Sequence, residues 1–190
     1  MLADVGCGRG GPGIWVARET GARLVGIDVV AGAVADAARR SVELGPLLGP
    51  LDARFRVGGF TATGLADGSC AAVMSVDALW MVWDKEAAVA EVARVLEPGG
   101  RFVVTSWETP GVDHAALLTA GGFTVEEKVE TPDWLDRQLA VYAGMLAHEN
   151  ELVAEMGAEA AAVVLAEARE TPPRLPSTPR VLVAATLAAR

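Results

Sequence analysis

The run Leu2-Ala3-Asp4-Val5-Gly6-Cys7-Gly8-Arg9-Gly10-Gly11 decides the reading of this chain. Residues 2–5 suit a buried strand, and the glycines that follow form a turn that opens a helix. Glycine tolerates positive φ and lets the backbone pass close under a ligand, while the free N–H groups of a helix start attract a negatively charged group. A match to G-x-G-x-x-G at Gly6, Gly8 and Gly11 is weak by itself. It gains weight from Val25-Gly26-Ile27-Asp28, where an acid at the end of the next strand is placed to accept both hydroxyls of a ribose. The two elements together point to a nucleoside-containing ligand. Asp4, two residues before the first glycine, sets a negative charge close to that ligand. It therefore disfavours a pyrophosphate and suits a molecule that carries ammonium and sulfonium groups.

Outward from this turn, short β-rich runs alternate with longer stretches of helical period. Strands are predicted over 2–5, 23–27, 54–57, 71–76, 101–106, 124–130 and 181–187. Helices are predicted over 11–19, 31–44, 85–96 and 112–120. Glu97-Pro98-Gly99-Gly100 marks the end of the third of these helices, since proline cannot continue it and glycine accepts a left-handed cap. Strand–helix–strand repetition implies a parallel sheet with helices on both faces. The last third changes character. Residues 132–168 are rich in Ala, Leu, Met and Glu, and Thr131 or Asp133 is placed to cap this helical stretch with Pro132 in its first turn. It serves either to cover the core or to cap a substrate site. A proline-rich connector over 171–179 then leads to the final strand.

Composition narrows the function. The chain has 190 residues, 52% of them hydrophobic and 22% charged, which suits one folded domain and excludes a disordered chain. With 16 basic and 25 acidic residues the net charge is −9, and no basic run is present, so a nucleic-acid partner is not expected. No stretch has the length or apolarity of a membrane span, and the N-terminus lacks the pattern of a signal peptide, so a cytoplasmic location is expected. Cys7 and Cys70 form no CxxC pair, and neither a disulfide framework nor a metal site is indicated.

Asp4-x-Gly6-x-Gly8-x-Gly10, Asp28 and Leu96-Glu97-Pro98-Gly99-Gly100-Arg101 together resemble the class I S-adenosylmethionine-dependent methyltransferases. Leu65-Ala66-Asp67-Gly68-Ser69 and Asp77-Ala78-Leu79-Trp80 are similar to the small-molecule branch that includes the ubiquinone and menaquinone methyltransferases, of methyltransferase type 11. The resemblance runs from about residue 2 to 108 and is loose beyond. It implies a Rossmann-like α/β fold: a seven-stranded, mostly parallel sheet with helices on both faces, an antiparallel last strand, and a helical insertion over 132–170 within a single domain 1–190. It implies S-adenosylmethionine as cofactor, with its methionine part on Asp4, Gly6, Cys7, Gly8 and Gly10, its ribose on Asp28 and its adenine against Val29. Asp77 either contacts the methionine part, faces the acceptor or serves as a turn residue. Asp28 has helix capping as an alternative role, and Cys7 that of a small buried residue.

The acceptor side is less defined. Trp80, Trp83 and Trp107 follow strands four and five, where open α/β sheets bind ligands, and Trp134 and Tyr142 are placed to join them from the cap. Aromatic walls suit a flat or apolar small molecule, although core packing is the alternative for each. No Asn-Pro-Pro-Tyr or Asp-Pro-Pro-Tyr follows strand four, unlike the adenine-N6 DNA branch. Methyl transfer from a sulfonium needs alignment more than a base, and the only histidines available to take a proton are His114 and His148.

Two departures from the family pattern stand out. The family carries an acid after the third strand that accepts from the adenine amino group, but this segment reads Val57-Gly58-Gly59-Phe60. Gly59 cannot make that bond, which leaves Asp67, a backbone carbonyl or water as acceptor and the Phe60 N–H as the adjoining donor. The family also carries several tens of helical residues before the first strand, whereas Met1-Leu2 already lies in that strand. The expected activity is methyl transfer to O, N or C of a small organic acceptor. A catalytically impaired cofactor-binding or dimerising partner is the first rival, a nicotinamide-dependent oxidoreductase the second, and a homodimer is compatible with either.

Overall fold

A computed structural model describes residues 1–48 and 51–188. Seven strands form one sheet: β1 (Leu2–Val5), β2 (Leu24–Asp28), β3 (Ala53–Val57), β4 (Cys70–Val76), β5 (Leu96–Trp107), β6 (Phe123–Glu130) and β7 (Arg180–Leu187), in the order β3-β2-β1-β4-β5-β7-β6. The strands from β3 to β5 pair in parallel, and β7 lies antiparallel between β5 and β6. The seven-stranded Rossmann-like arrangement is thus as the sequence implies. Because the order reverses between β1 and β4, the carboxyl ends of these two strands flank the crevice in which such sheets bind ligands.

Alternation along the strands divides the core into two faces. Leu2 and Leu24 pack with Met74 under α1 (Gly11–Thr20), whose Ile14 and Ala17 are buried there. Ala3, Val5, Ile27 and Val73 point the other way, against Ala88, Val89, Val92 and Val95 of α3 (Lys85–Val95) and Leu118 of α4 (His114–Ala120). The period of two therefore places Asp4 on the α1 face with Leu2. Helix α2 (Ala31–Leu48) follows β2. The side chain of Asp84 caps α3 through the Ala87 N–H at 2.8 Å, and Asp113 caps α4 through Ala115 and Ala116.

The Glu-Pro-Gly-Gly turn differs from its sequence reading. α3 ends at Val95 and Leu96 already pairs with Cys70, while the next paired position joins Ala72 to Arg101. Residues 97–100 form a bulge in β5, with Gly99 at φ +77°, and no glycine caps the helix.

Contacts divide the described chain into two compact units. One joins Met1–Ser106, Asp113–Val129 and the chain from Val181 onward; the other joins Trp107–Val112 and Glu130–Arg180. The second unit is the expected helical stretch, broken into α5 (Trp134–Ala147), α6 (Glu149–Met156) and α7 (Ala158–Glu170), followed by a 3₁₀ segment over Pro172–Ser177. Its small core gathers Trp134, Tyr142, Ala168 and Leu175. Asp133 stands at the start of α5 with φ +53° and makes no side-chain cap bond. Among the described residues no helix is long and apolar enough to cross a membrane.

Candidate functional site

The glycine turn is pinned to the end of β2 by two bonds, since the Gly6 and Cys7 amides both donate to the Ile27 carbonyl at 2.8 and 3.0 Å. Gly6 sits at φ +75°, and a Cβ there would lie 2.3 Å from the Ala78 side chain, so glycine is required on both counts. Gly10 closes the turn by donating to the Cys7 carbonyl at 2.8 Å and begins α1.

Asp28, at the tip of β2, holds this turn from across the sheet. Its Oδ2 accepts from the Gly8 amide at 2.8 Å and its Oδ1 accepts from the Val30 amide at 2.9 Å. The helix-side role that the sequence offers as the alternative to ribose binding is thus present, one oxygen turning the chain into α2 while the other fixes the glycine loop. A carboxylate oxygen that accepts one N–H keeps a lone pair for a ligand hydroxyl. Val29 and Val30, directly after it, are 70% and 56% exposed, an unusual setting for apolar residues that fits a ligand-facing rim.

Asp4 is only 2% exposed and lies beneath the loop. The Gly13 amide of α1 donates to its carboxyl, while Oδ1 has no hydrogen-bond partner. Burial pushes its pKa up to about 7, with the charge of Asp28 acting in the same direction. Gly13 is the reason an acid fits here, because a Cβ at that position would stand 2.5 Å from Asp4 Oδ2. Cys7 is buried and its thiol is pushed up to about 12, chiefly by burial and then by Asp4 and Asp28, so it is protonated at neutral pH.

A cavity of about 580 Å³ opens beside this loop. Gly6, Gly8 and Asp28 form one wall, and Val29, Val30 and Ala33 continue it into α2. Gly58, Gly59, Phe60 and Thr61 line it from the turn after β3, and Ala78, Met81 and Val82 from the segment after β4. Of the expected cofactor residues, Gly6, Gly8, Asp28, Val29, Gly59 and Phe60 thus border one space. Asp4, Cys7, Gly10 and Asp77 are not among its lining residues.

The turn after β3 is tight, with Gly59 and Ala62 exchanging backbone bonds of 3.2 and 3.1 Å around Phe60 and Thr61. Thr63 anchors it: its amide and hydroxyl both donate to Glu91 Oε1 of α3, at 2.9 and 2.6 Å. Glu91 is held to about 2 by Arg94, with Thr63 adding to the effect. Arg94 also pairs with Asp67, which is exposed and does not line the cavity; it is thus not placed to replace the acid missing at Gly59.

The expected acceptor residues fall in both compact units. Trp80 donates from Nε1 to the Asp77 carbonyl at 3.0 Å, and Trp83 is fully exposed on the following turn. Asp77 adopts φ +55°, and its Oδ1 accepts from the Thr105 hydroxyl at 3.2 Å. Trp107 meets Trp134 edge-on, with ring centroids 5.5 Å apart, in the helical unit, where Tyr142 bonds Glu167. His114 is fully buried at the start of α4, and His148 is exposed and paired with Glu151; neither lines the cavity. Sequence reasoning missed Gly13, Val30, Ala33, Thr61, Met81 and Val82. Only Gly13 carried a signal, as a further glycine inside the first turn of a helix that follows an acid-bearing strand.

A methyltransferase domain family matches residues 3–104. The 2-methyl-6-phytyl-1,4-hydroquinone methyltransferase of Synechocystis sp. is 36% identical over 161 residues, covering 70% of this chain and 49% of that protein. Methyltransferase GfsG of Streptomyces halstedii is 29% identical over 141 residues, covering 74% of this chain and 50% of its own length. The chain spans about half the length of these curated relatives. Among solved structures, the cyclase SpnF superposes with a TM-score of 0.82 over 100% of this chain and 74% of its own, at 24% identity, which shows the shared fold. With the glycine turn, the β2 acid and the sheet order all in place over the matched span, this chain belongs to the methyltransferase domain family.

Proposed function

We propose that the chain binds S-adenosylmethionine and methylates a small organic acceptor at O, N or C. The observation that carries this reading is the Asp28 carboxylate, fixed by the Gly8 and Val30 amides at the rim of a glycine-lined cavity. The residues fit the cofactor on two counts. Four glycines line the space where side chains would intrude, and the buried Asp4 Oδ1 lacks a partner beneath the loop, as suits a cationic methionine part. SpnF is named a cyclase, so the fold alone does not choose the chemistry.

The cofactor supplies an activated methyl group on a sulfonium. Asp28 would hold the ribose diol, the loop from Asp4 to Gly10 the methionine part, and Val29 and Val30 the face of the base. The chain's own work is to orient the acceptor in line with the methyl–sulfur bond and to exclude water, an effect worth up to about 7–11 kcal/mol. The apolar side formed by Ala78, Met81 and Val82 favours an apolar acceptor surface over a charged polymer. The net charge of −9 agrees with a cytoplasmic enzyme that does not bind nucleic acid, and a homodimer is compatible with this reading.

Incubation with methyl-tritiated cofactor and a panel of phenols, hydroquinones, amines and thiols tests this. Label should move to at least one acceptor class. Binding of the cofactor without transfer to any acceptor would instead support a cofactor-binding partner.

A further inference from the structure

Among the described residues that line the cavity, two carry a side-chain carboxylate or hydroxyl, Asp28 and Thr61. Between them the walls are glycine, alanine, valine, methionine and phenylalanine. A base attached to a ribose on Asp28 and packed on the exposed Val29 lies beside the Gly58–Thr61 turn, whose Gly58 amide donates to the Asp28 carbonyl at 3.0 Å. That turn contributes no carboxylate of its own to the lining, and a Cβ on Gly59 would meet only Val29, at 3.2 Å. Thr61 is presented there on a rigid support, since the turn is closed by the Gly59–Ala62 bonds and clamped through Thr63 to Glu91.

We propose that the Thr61 hydroxyl reads the edge of the nucleobase, and that this makes the site weakly selective between 6-amino and 6-oxo purines. This inference rests on the cofactor reading above. A carboxylate only accepts hydrogen bonds, so it welcomes an exocyclic amino group and repels a carbonyl. A hydroxyl both donates and accepts, and it rotates to suit the partner it meets. Thr61 therefore accepts from the amino group of adenine or donates to the carbonyl of hypoxanthine with similar gain. The glycines beside it add no side chain that would impose a choice.

Affinities of S-adenosylhomocysteine and its deaminated analogue, S-inosylhomocysteine, measured by calorimetry on the whole chain, test this. The wild-type chain should bind the two within about tenfold of each other. Thr61→Val, which keeps the shape and removes the hydroxyl, should weaken both by about three- to tenfold, as expected for one neutral hydrogen bond. Thr61→Ser should restore both to within about twofold, which a merely structural role for the threonine would not require. Thr61→Asp should widen the preference for the adenosyl ligand by more than about tenfold, because the new group accepts only. An unchanged affinity in Thr61→Val, or a wild-type preference for the adenosyl ligand beyond about fiftyfold, would overturn the proposal while leaving the cofactor reading intact. Failure of the wild-type chain to bind either ligand would overturn the cofactor reading itself.

Discussion

The Asp28 carboxylate accepts the Gly8 amide at 2.8 Å although the two residues lie twenty positions apart, so the acid that ends β2 also sets the shape of the turn that ends β1. The glycine loop and the turn into α2 are thereby joined in one side chain. Asp28→Ala should remove both, leaving the Gly8 and Val30 amides without their acceptor and lowering affinity for S-adenosylhomocysteine by about a hundredfold or more, given ~1.5–3 kcal/mol for each bond to a charged group. Asp28→Asn retains an acceptor oxygen and should lose less. Equal affinity of the alanine variant and the wild-type chain would remove the ribose assignment.

Gly13 and Asp4 are a matched pair. Gly13→Ala puts a Cβ 2.5 Å from Asp4 Oδ2 and should destabilise the fold by ~1–3 kcal/mol, measured by urea unfolding. In the Asp4→Ala background the same change should cost clearly less, because the clashing oxygen is gone. Strictly additive effects would show that the two side chains do not compete for space.

Asp4 also gives stability a pH dependence of defined sign. Its carboxyl is raised from 3.8 to about 7 by burial, so the folded chain holds a proton that the unfolded chain releases. Stability should fall as pH rises from about 4 through 7, by up to ~4 kcal/mol, and the full penalty should be present above that range. Asp4→Asn should flatten this part of the curve and be the more stable protein at pH 8. Parallel curves for the two proteins between pH 5 and 8 would contradict it.

Glu91 acts on the cavity from a distance. Glu91→Ala leaves the buried Thr63 amide and hydroxyl without their acceptor and should cost ~1–3 kcal/mol in unfolding experiments. Because Thr63 anchors the turn carrying Phe60 and Thr61, ligand affinity should drop as well. The Glu91 carboxylate is depressed to about 2, so its stabilisation is present above about pH 4.5 and is lost as pH falls toward 2. A variant that unfolds as the wild type does would show that the clamp carries no weight.

The sheet was legible because alternation and breakers act locally: residues 2–5 are a strand as read, and the acid of Val25-Gly26-Ile27-Asp28 ends β2 as expected. The Glu-Pro-Gly-Gly turn was read as a helix end because its residues report only that the chain turns. Whether they close a helix or bulge a strand depends on Leu96 pairing with Cys70, a partner distant in sequence. Asp67 pairs with Arg94, which lies 27 residues away, and it does not line the cavity. Thr61 gave no signal, since a lone hydroxyl in a polar loop has no pattern. It gains meaning only when Gly59 and Ala62 fold it onto the cavity.

The measurement that bears most directly on the central claim is a calorimetric titration of the wild-type chain with S-adenosylmethionine and S-adenosylhomocysteine. Both should bind saturably to one site per chain and compete with each other, and binding of the sulfonium form should release protons as Asp4 ionises beneath its cationic partner. Absence of heat and of any thermal shift from either ligand at millimolar concentration would contradict it.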